Sequence, residues 1–121
     1  MGVRVLVVEN ETPLRKMMIE ALAMRGILVE AAAGGSEALE ILARVPVRVL
    51  VLDTQRPGMS FDLWSRVKRV NPDLARRTVF CTGDIMVEAI RTFIDSTGCV
   101  YIGKPFGWGQ FFDAVAEAAS R

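Results

Sequence analysis

The sequence predicts an α/β fold in which helices cover both faces of a parallel five-stranded sheet. Short aliphatic runs alternate with amphipathic helical patterns five times along the 121 residues. The run at residues 47–52 is almost wholly aliphatic, which is typical of a central strand that is buried on both faces. Helical connections of this length join parallel strands by right-handed crossovers. These three observations favour a doubly wound sheet.

The first unit is a strand at residues 3–8 followed by a helix. Apolar side chains recur at helical spacing after the strand, at Leu14, Met17, Met18, Ala21 and Leu22. We expect Thr12 to cap this helix and Pro13 to occupy its first position, since proline needs no helical N–H there. Gly26 is expected to end the helix.

The second and third units continue the alternation. A short strand at residues 27–31 leads through Gly34-Gly35-Ser36 into a second helix, since these glycines lack the lysine and the spacing of a phosphate-binding loop. The strand at residues 47–52 is followed by a predicted loop at residues 54–60, where Pro57-Gly58 is a turn signal. A third helix bearing Leu63 and Trp64 is expected to close at Asn71-Pro72.

The last two units complete the sheet. A strand at residues 78–81 precedes a fourth helix that Asp84 is expected to cap. A strand at residues 99–102 precedes a fifth helix, whose aromatic residues Trp108, Phe111 and Phe112 are expected to lie mostly in the core. Five such units predict a flavodoxin-like three-layer sandwich with strand order 2-1-3-4-5, as a single domain over residues 1–121.

The composition excludes several classes of function. A net charge of +1 gives no basic stripe for nucleic acid, and we expect Arg66, Arg69, Arg76 and Arg77 to form a solvated face. No apolar run approaches the ~20 residues that span a bilayer, and the N-terminus lacks the features of a secretory signal. Localisation is therefore expected to be cytoplasmic.

Cysteine and histidine content adds to this. Cys81 and Cys99 fall in predicted strands, which favours buried free thiols in a reducing compartment over a disulfide. Histidine is absent, which excludes histidine bases and most zinc sites. Any phosphohistidine must therefore come from a partner protein.

Polar residues follow four of the predicted strands at the point where each strand ends. They are Glu9-Asn10-Glu11, Asp53, Thr82 and Lys104-Pro105. In a parallel sheet these ends share one edge, where α/β folds place their sites. An acid, a second acid, a hydroxyl and an ammonium group would converge there. This combination predicts metal-assisted phosphoryl chemistry on a carboxylate.

Each of these side chains has a chemical role in that prediction. Glu9 and Asp53 would face each other across an acidic cleft that suits a hard cation such as Mg²⁺. Asp53 would be the nucleophile that forms an aspartyl phosphate. Lys104 and the Thr82 hydroxyl would bind phosphoryl oxygens, with main-chain N–H groups after Asp53 and Thr82 as further donors.

The chain resembles, from end to end, the receiver domain of two-component response regulators. The matching segments are Val7-Val8-Glu9-Asn10-Glu11, Leu52-Asp53, Pro57-Gly58-Met59, Phe80-Cys81-Thr82-Gly83 and Tyr101-Ile102-Gly103-Lys104-Pro105-Phe106. The resemblance implies that Asp53 is the phosphoacceptor, Lys104 the family lysine, and Thr82 with Tyr101 the switch pair. It also implies that the metal ligands are Glu9, Asn10, Asp53 and the main-chain carbonyl of Gln55.

The resemblance also implies partners. A sensor histidine kinase or a histidine phosphotransfer protein would donate the phosphoryl group, and the fourth predicted helix, fifth strand and fifth helix would respond and could form a homodimer. Beyond its own phosphorylation and dephosphorylation, the chain is expected to turn over no independent substrate. The stretch from Phe80 to Phe106 is similar to receivers at the C-terminus of hybrid sensor histidine kinases; the chain could equally be a stand-alone regulator.

One residue departs from the family pattern. Receivers usually carry two acids after the first strand, whereas this chain has Glu9-Asn10. We expect weaker binding of Mg²⁺ or Mn²⁺, with slower phosphorylation or a longer-lived phosphoryl group, and we expect no compensation from Glu11. The alternative is a pseudo-receiver that acts as a docking or dimerisation module without phosphorylation.

Two enzyme-like alternatives fit less well. A flavodoxin-like electron carrier would need phosphate donors where Glu9 and Glu11 stand. A hydrolase with a catalytic aspartate would need a lid, and the predicted loops are short.

Overall fold

The structure is a computed structural model that describes residues 3–54, 57–83 and 87–121, with the main chain alone at 57–59. Its strands are β1 (Arg4–Val8), β2 (Leu28–Ala32), β3 (Val49–Asp53), β4 (Thr78–Thr82) and β5 (Val100–Gly103). They form one parallel sheet in the order β2-β1-β3-β4-β5. The predicted fold class and strand order are therefore confirmed.

The helices number six over the described ranges, one more than the sequence predicts. They are α1 (Thr12–Met24), α2 (Gly35–Arg44), α3 (Pro57–Val70), α4 (Pro72–Arg76), α5 (Glu88–Thr97) and α6 (Trp108–Ala119). The additional helix, α4, starts where Asn71 Oδ1 accepts a hydrogen bond from the Leu74 N–H at 3.1 Å. Pro72 thus ends α3, as expected, and opens a further turn. The predicted fourth and fifth helices are α5 and α6.

Two predicted helix starts are wrong, that of α3 by about one turn and that of α1 by one residue. Helix α3 begins at Pro57, inside the predicted loop, because proline fits the first turn of a helix as readily as a β-turn. Helix α1 includes Thr12, and its N-cap is Glu11, whose side chain makes no capping bond. Gly26 follows α1 with φ of +75°, which confirms the predicted end of that helix. The predicted cap at Asp84 lies outside the described residues.

Alternating strand residues divide the core into two layers. Leu6 and Val8 of β1 pack with the helices α2, α3, α4 and α5 on one face. Val5 and Val7 pack with α1 and α6 on the other face. Because both faces are covered, β3 is buried along its whole length, and its polar end at Asp53 is held on a rigid strand.

Both cysteines are buried free thiols, as predicted. Cys99 Sγ donates to the main-chain oxygen of Ala75 at 3.2 Å, and Trp64 Nε1 donates to the same oxygen at 3.0 Å. This shared acceptor connects α3 and α4 to Cys99, the residue that precedes β5. Of the helices in the described ranges, none is long and apolar enough to cross a membrane.

Candidate functional site

Glu9 is fixed at the end of β1 by its main chain and its side chain. Its N–H donates to Ala32 O at 3.0 Å, and its carbonyl accepts from Arg15 Nη1 at 2.8 Å. Its Oε2 accepts from the Glu11 N–H at 3.2 Å. The residue is only 1% exposed. The turn after β1 therefore holds the Glu9 carboxylate inside the molecule, while the Glu11 side chain is exposed.

Asp53 is the last residue of β3 and pairs in register with Cys81 of β4. Its carbonyl accepts a hydrogen bond from Ser60 Oγ, one turn into α3. Its side chain is 6% exposed. The strand and the start of α3 thus hold a carboxylate that reaches solvent through a narrow opening.

Lys104 joins the two acids. Its Nζ lies 2.9 Å from Asp53 Oδ1 and 3.1 Å from Glu9 Oε1. Its main-chain N–H donates to Thr82 O at 2.8 Å, which fixes the end of β5 to the end of β4. The peptide bond between Lys104 and Pro105 is cis. The expected convergence of Glu9, Asp53 and Lys104 at one edge of the sheet is observed.

The charges of Glu9, Asp53 and Lys104 change the pKa values of Glu9 and Lys104. Burial raises the pKa of Glu9, and the neighbouring charge of Asp53 raises it further. Burial alone would lower the pKa of Lys104, but its hydrogen bonds and attraction to Asp53 and Glu9 outweigh burial and raise it. Two carboxylates therefore share one ammonium group, which leaves the cluster net negative when all three groups are ionised. Such a cluster attracts a cation.

Asn10 lies beside this cluster. With Asp53 and Ser60 it lines a small pocket whose other walls are Val8, Ala33, Gly35, Leu52 and Leu63. The described residues contain no group of three or more histidine, cysteine or acidic side chains placed to hold a metal. The available donors are two carboxylates and an amide. This all-oxygen set fits a hard cation such as Mg²⁺, with less charge than three carboxylates would supply. Gln55, the fourth expected ligand, lies outside the described residues.

Thr82 and Tyr101 lie on the neighbouring strands β4 and β5. Thr82 is fully buried at the end of β4. Tyr101 is opposite Phe80 in the register and is half-buried against the core layer that contains Phe93. The ring of Phe93 stacks on that of Phe61, with centroids 3.9 Å apart. The Phe93 ring also meets the Phe80 ring edge-on, so an aromatic cluster connects α3 and α5 to β4, the strand beside Tyr101. The switching role of this pair stays a prediction.

Several features of the site differ from the sequence-based expectations. The first main-chain N–H after Asp53, that of Thr54, donates to Cys81 O at 3.0 Å and therefore supports the sheet instead of a ligand. Ser60 and Arg15 brace the site but were not expected to. Their positions in the sequence indicate this role, because each residue lies in the first turns of the helix that follows a site strand. Arg77, expected on a solvated face, is half-buried.

Comparison with known proteins identifies a family. The model of the response regulator receiver domain matches residues 5–116. The sensor kinase CckA of Brucella abortus is 31% identical over 120 residues, which cover 97% of this chain and 12% of that protein. The response regulator MprA of Mycobacterium ulcerans is 31% identical over 107 residues, which cover 88% of this chain and 45% of that protein. This chain thus spans less than half the length of either relative.

Solved structures show the same fold. A CheY-like response regulator receiver domain protein from Methanospirillum hungatei superimposes with a TM-score of 0.88 at 21% identity, covering 99% of this chain and 95% of that one. At this identity the likeness supports the architecture alone.

Proposed function

Because the chain belongs to the family of response regulator receiver domains, we propose that its Asp53 accepts a phosphoryl group from a phosphohistidine of a partner protein. Receiver domains interact with sensor kinases or phosphotransfer proteins, and this chain contains no histidine of its own. The donor would therefore be a histidine kinase or a histidine phosphotransfer protein. The chain would act as an acceptor and switch, with no turnover of an independent substrate.

One observation carries this proposal. Lys104 Nζ contacts both Asp53 Oδ1 and Glu9 Oε1, although Lys104 is 51 and 95 residues away from them in the chain. A partly buried ammonium group that bridges two buried carboxylates is costly to assemble, and apolar residues would stabilise the fold as well if the role were only structural. A phosphoryl group on Asp53 would give the ammonium group a new oxygen to bind.

The transfer step can be written from these groups. An oxygen of the Asp53 carboxylate attacks the phosphorus atom, the new P–O bond forms, and the P–N bond to the donor imidazole breaks. The electron pair of the broken bond stays on the imidazole nitrogen. Lys104 Nζ then lies within reach of the phosphoryl oxygens, as does the end of β4 at Thr82.

A divalent cation such as Mg²⁺ or Mn²⁺ would reduce the repulsion between the carboxylate and the phosphoryl dianion. Receiver domains generally bind Mg²⁺. The side chains of Glu9, Asn10 and Asp53 would hold the ion here, with the Gln55 carbonyl as a further ligand. Because Asn10 supplies a neutral oxygen, affinity for the cation would be weaker than with an acid at this position.

The response would pass through Thr82 and Tyr101. The Thr82 hydroxyl would move toward the phosphoryl group, and the half-buried Tyr101 ring would turn inward against the cluster that contains Phe93. The surface formed by α5, β5 and α6 would then change, and it would serve as the face for a homodimer. In this scheme the phosphoryl group biases an equilibrium between two packings.

Phosphorylation can be tested by intact mass. The protein is incubated with acetyl phosphate and Mg²⁺, and we expect one phosphoryl adduct. Asp53→Ala should abolish the adduct, whereas Asp62→Ala, which removes an exposed aspartate from α3, should retain it. An adduct on the Asp53→Ala variant, or none on the wild type at any Mg²⁺ concentration, would contradict the proposal.

A pseudo-receiver is the second candidate, and Asn10 is the observation that favours it. With one acid missing, the site would hold Lys104 permanently against Asp53 and Glu9, and the domain would act as an unphosphorylated docking module. Absence of an adduct in the wild type together with its appearance in Asn10→Asp would establish this reading.

A further inference from the structure

A row of arginines lies at the opposite edge of the sheet from Asp53. Arg4 begins β1, Arg48 immediately precedes β3, and Arg77 immediately precedes β4. These three strands are neighbours in the sheet, about 4.8 Å apart. The Arg48 N–H donates to Arg4 O at 2.8 Å, and Arg77 Nε donates to Arg48 O at 2.7 Å. An arginine thus lies at the N-terminal end of each of three adjacent strands.

The positive charge of this row is only partly neutralised. Arg4 forms an ion pair with Glu30 at 2.9 Å. Arg48 instead donates through Nε and Nη2 to Ala119 O, at 3.0 and 2.6 Å. Across residues 3–54, 57–83 and 87–121, neither Arg48 nor Arg77 forms an ion pair with a carboxylate. Carbonyl oxygens orient these guanidinium groups but leave their charge in place.

The two guanidinium groups also disturb each other. Partial burial lowers the pKa of Arg77, the neighbouring charge of Arg48 lowers it further, and the charge of Asp73 offsets only part of this. An anion placed between them would relieve this repulsion.

The arginines border a groove with an apolar floor. The groove has a volume of about 520 Å³, and its remaining walls are Val3, Leu28, Pro46 and Val47. Leu28, on the outermost strand β2, is 50% exposed. A ligand that filled the groove would need acidic groups for the arginines and apolar groups for the floor.

We propose that this groove, lined by Arg4, Arg48 and Arg77, binds an acidic peptide segment of a partner protein in which carboxylates alternate with aliphatic side chains. A bare phosphate would leave the apolar floor uncovered. A nucleic acid strand would lack the aromatic side chains on which bases stack, since none of the seven described lining residues is aromatic. In the alternating segment, the carboxylates would pair with the arginines and the aliphatic side chains would cover the apolar floor.

This site would act independently of Asp53. The length of the strands separates the two edges of the sheet by roughly 15 Å. A partner could therefore hold the domain by its arginine edge while the opposite edge exchanged phosphoryl groups.

Fluorescence anisotropy tests the proposal with a labelled short peptide of alternating glutamate and valine. We expect saturable binding that weakens as salt is raised. The double variant Arg48→Gln/Arg77→Gln should bind about tenfold more weakly, the loss expected when two ion pairs at the surface are removed. The matched double variant Arg66→Gln/Arg69→Gln removes the same charge from the exposed face of α3 and should bind like the wild type.

Two further measurements test the contribution of the apolar floor. Leu28→Ser leaves all three arginines in place and should also weaken binding, because it removes part of the apolar floor. A peptide of alternating glutamate and serine should bind more weakly than the valine peptide. Thermal unfolding by circular dichroism confirms that each variant is folded before its affinity is compared.

The proposal is overturned if the two double variants bind equally well. It is also overturned if the serine peptide matches the valine peptide, if inorganic phosphate displaces the peptide at low millimolar concentration, or if a single-stranded oligonucleotide binds more tightly than the peptide. Phosphorylation of Asp53 is measured separately, so failure here leaves the proposed function untouched.

Discussion

Lys104 Nζ lies 2.9 Å from Asp53 Oδ1, across 51 residues of sequence. The same nitrogen lies 3.1 Å from Glu9 Oε1, so one ammonium group serves two buried carboxylates. The positive charge between the acids reduces their mutual repulsion and stabilises the arrangement. A bound cation and the lysine therefore act on the same pair of charges, and removing either should alter the response to the other.

Lys104→Met should destabilise the protein when Mg²⁺ is absent. The substitution removes the ammonium group that lies between Glu9 and Asp53, whose side chains are only 1% and 6% exposed. We expect the free energy of unfolding in urea with EDTA to fall by about 2 kcal/mol, less than for a fully buried pair because Lys104 itself is partly exposed. Adding Mg²⁺ should recover more stability in this variant than in the wild type.

Lys16→Met is the control for that experiment. Lys16 is exposed on α1, and its substitution removes the same charge as Lys104→Met. Its unfolding free energy should match that of the wild type. Equal stabilities of Lys104→Met and Lys16→Met in EDTA would show that Lys104 does not neutralise the two acids.

Asn10→Asp should destabilise the protein without Mg²⁺ and stabilise it when Mg²⁺ is added. A third carboxylate beside Asp53 adds repulsion, so the melting temperature should fall in EDTA. With Mg²⁺ the same charge becomes a ligand, and we expect affinity to rise about tenfold in isothermal titration calorimetry. The melting temperature in saturating Mg²⁺ should then exceed that of the wild type.

Gln110→Glu controls for net charge, since it adds one negative charge at an exposed position of α6. Its Mg²⁺ affinity should equal that of the wild type. If Asn10→Asp and the wild type bind Mg²⁺ equally, the expectation that Asn10 weakens the metal site is wrong.

The shared acceptor Ala75 O should produce coupling between two distant side chains. Trp64→Phe removes one donor and Cys99→Ala removes the other, and each should cost about 1 kcal/mol in urea unfolding. The double variant should lose more than the sum, because the buried carbonyl then lacks both side-chain donors. Strict additivity would mean that the two hydrogen bonds stabilise the fold independently.

Cys81 should resist alkylation while the protein is folded. Complete burial raises the pKa of this thiol, so very little thiolate forms near neutral pH. Mass spectrometry after iodoacetamide treatment should show no modified Cys81 in buffer and full modification in urea. Ser96→Cys places a thiol at an exposed position of α5 and should react at once. Rapid labelling of Cys81 in buffer would reveal local opening of β4.

The sheet and the meeting of Glu9, Asp53 and Lys104 could be predicted because parallel topology brings strand ends to one edge whatever their separation in sequence. The five-residue helix α4 could not, because it is too short to show a helical period and its proline signals an end as well as a start. The start of α3 at Pro57 could not be predicted either, because Pro57-Gly58 is a turn signal and proline also fits the first turn of a helix.

Contacts that depend on the length and direction of individual side chains could not be predicted from the sequence. Nothing in the spacing indicates that Lys104 contacts Glu9 as well as Asp53, or that the Thr54 N–H is engaged by Cys81 O. The arginine row was also missed. Arg4, Arg48 and Arg77 are far apart in sequence, and they align only because the sheet order places β1, β3 and β4 side by side.

The most direct test of the central claim locates the phosphoryl group itself. After treatment with acetyl phosphate and Mg²⁺, borohydride reduces an aspartyl phosphate to homoserine, which tandem mass spectrometry assigns to a residue. We predict homoserine at position 53 and at no other aspartate. Homoserine elsewhere with Asp53 intact, or a phosphoryl adduct that borohydride leaves unchanged, would contradict the assignment of Asp53 as the acceptor.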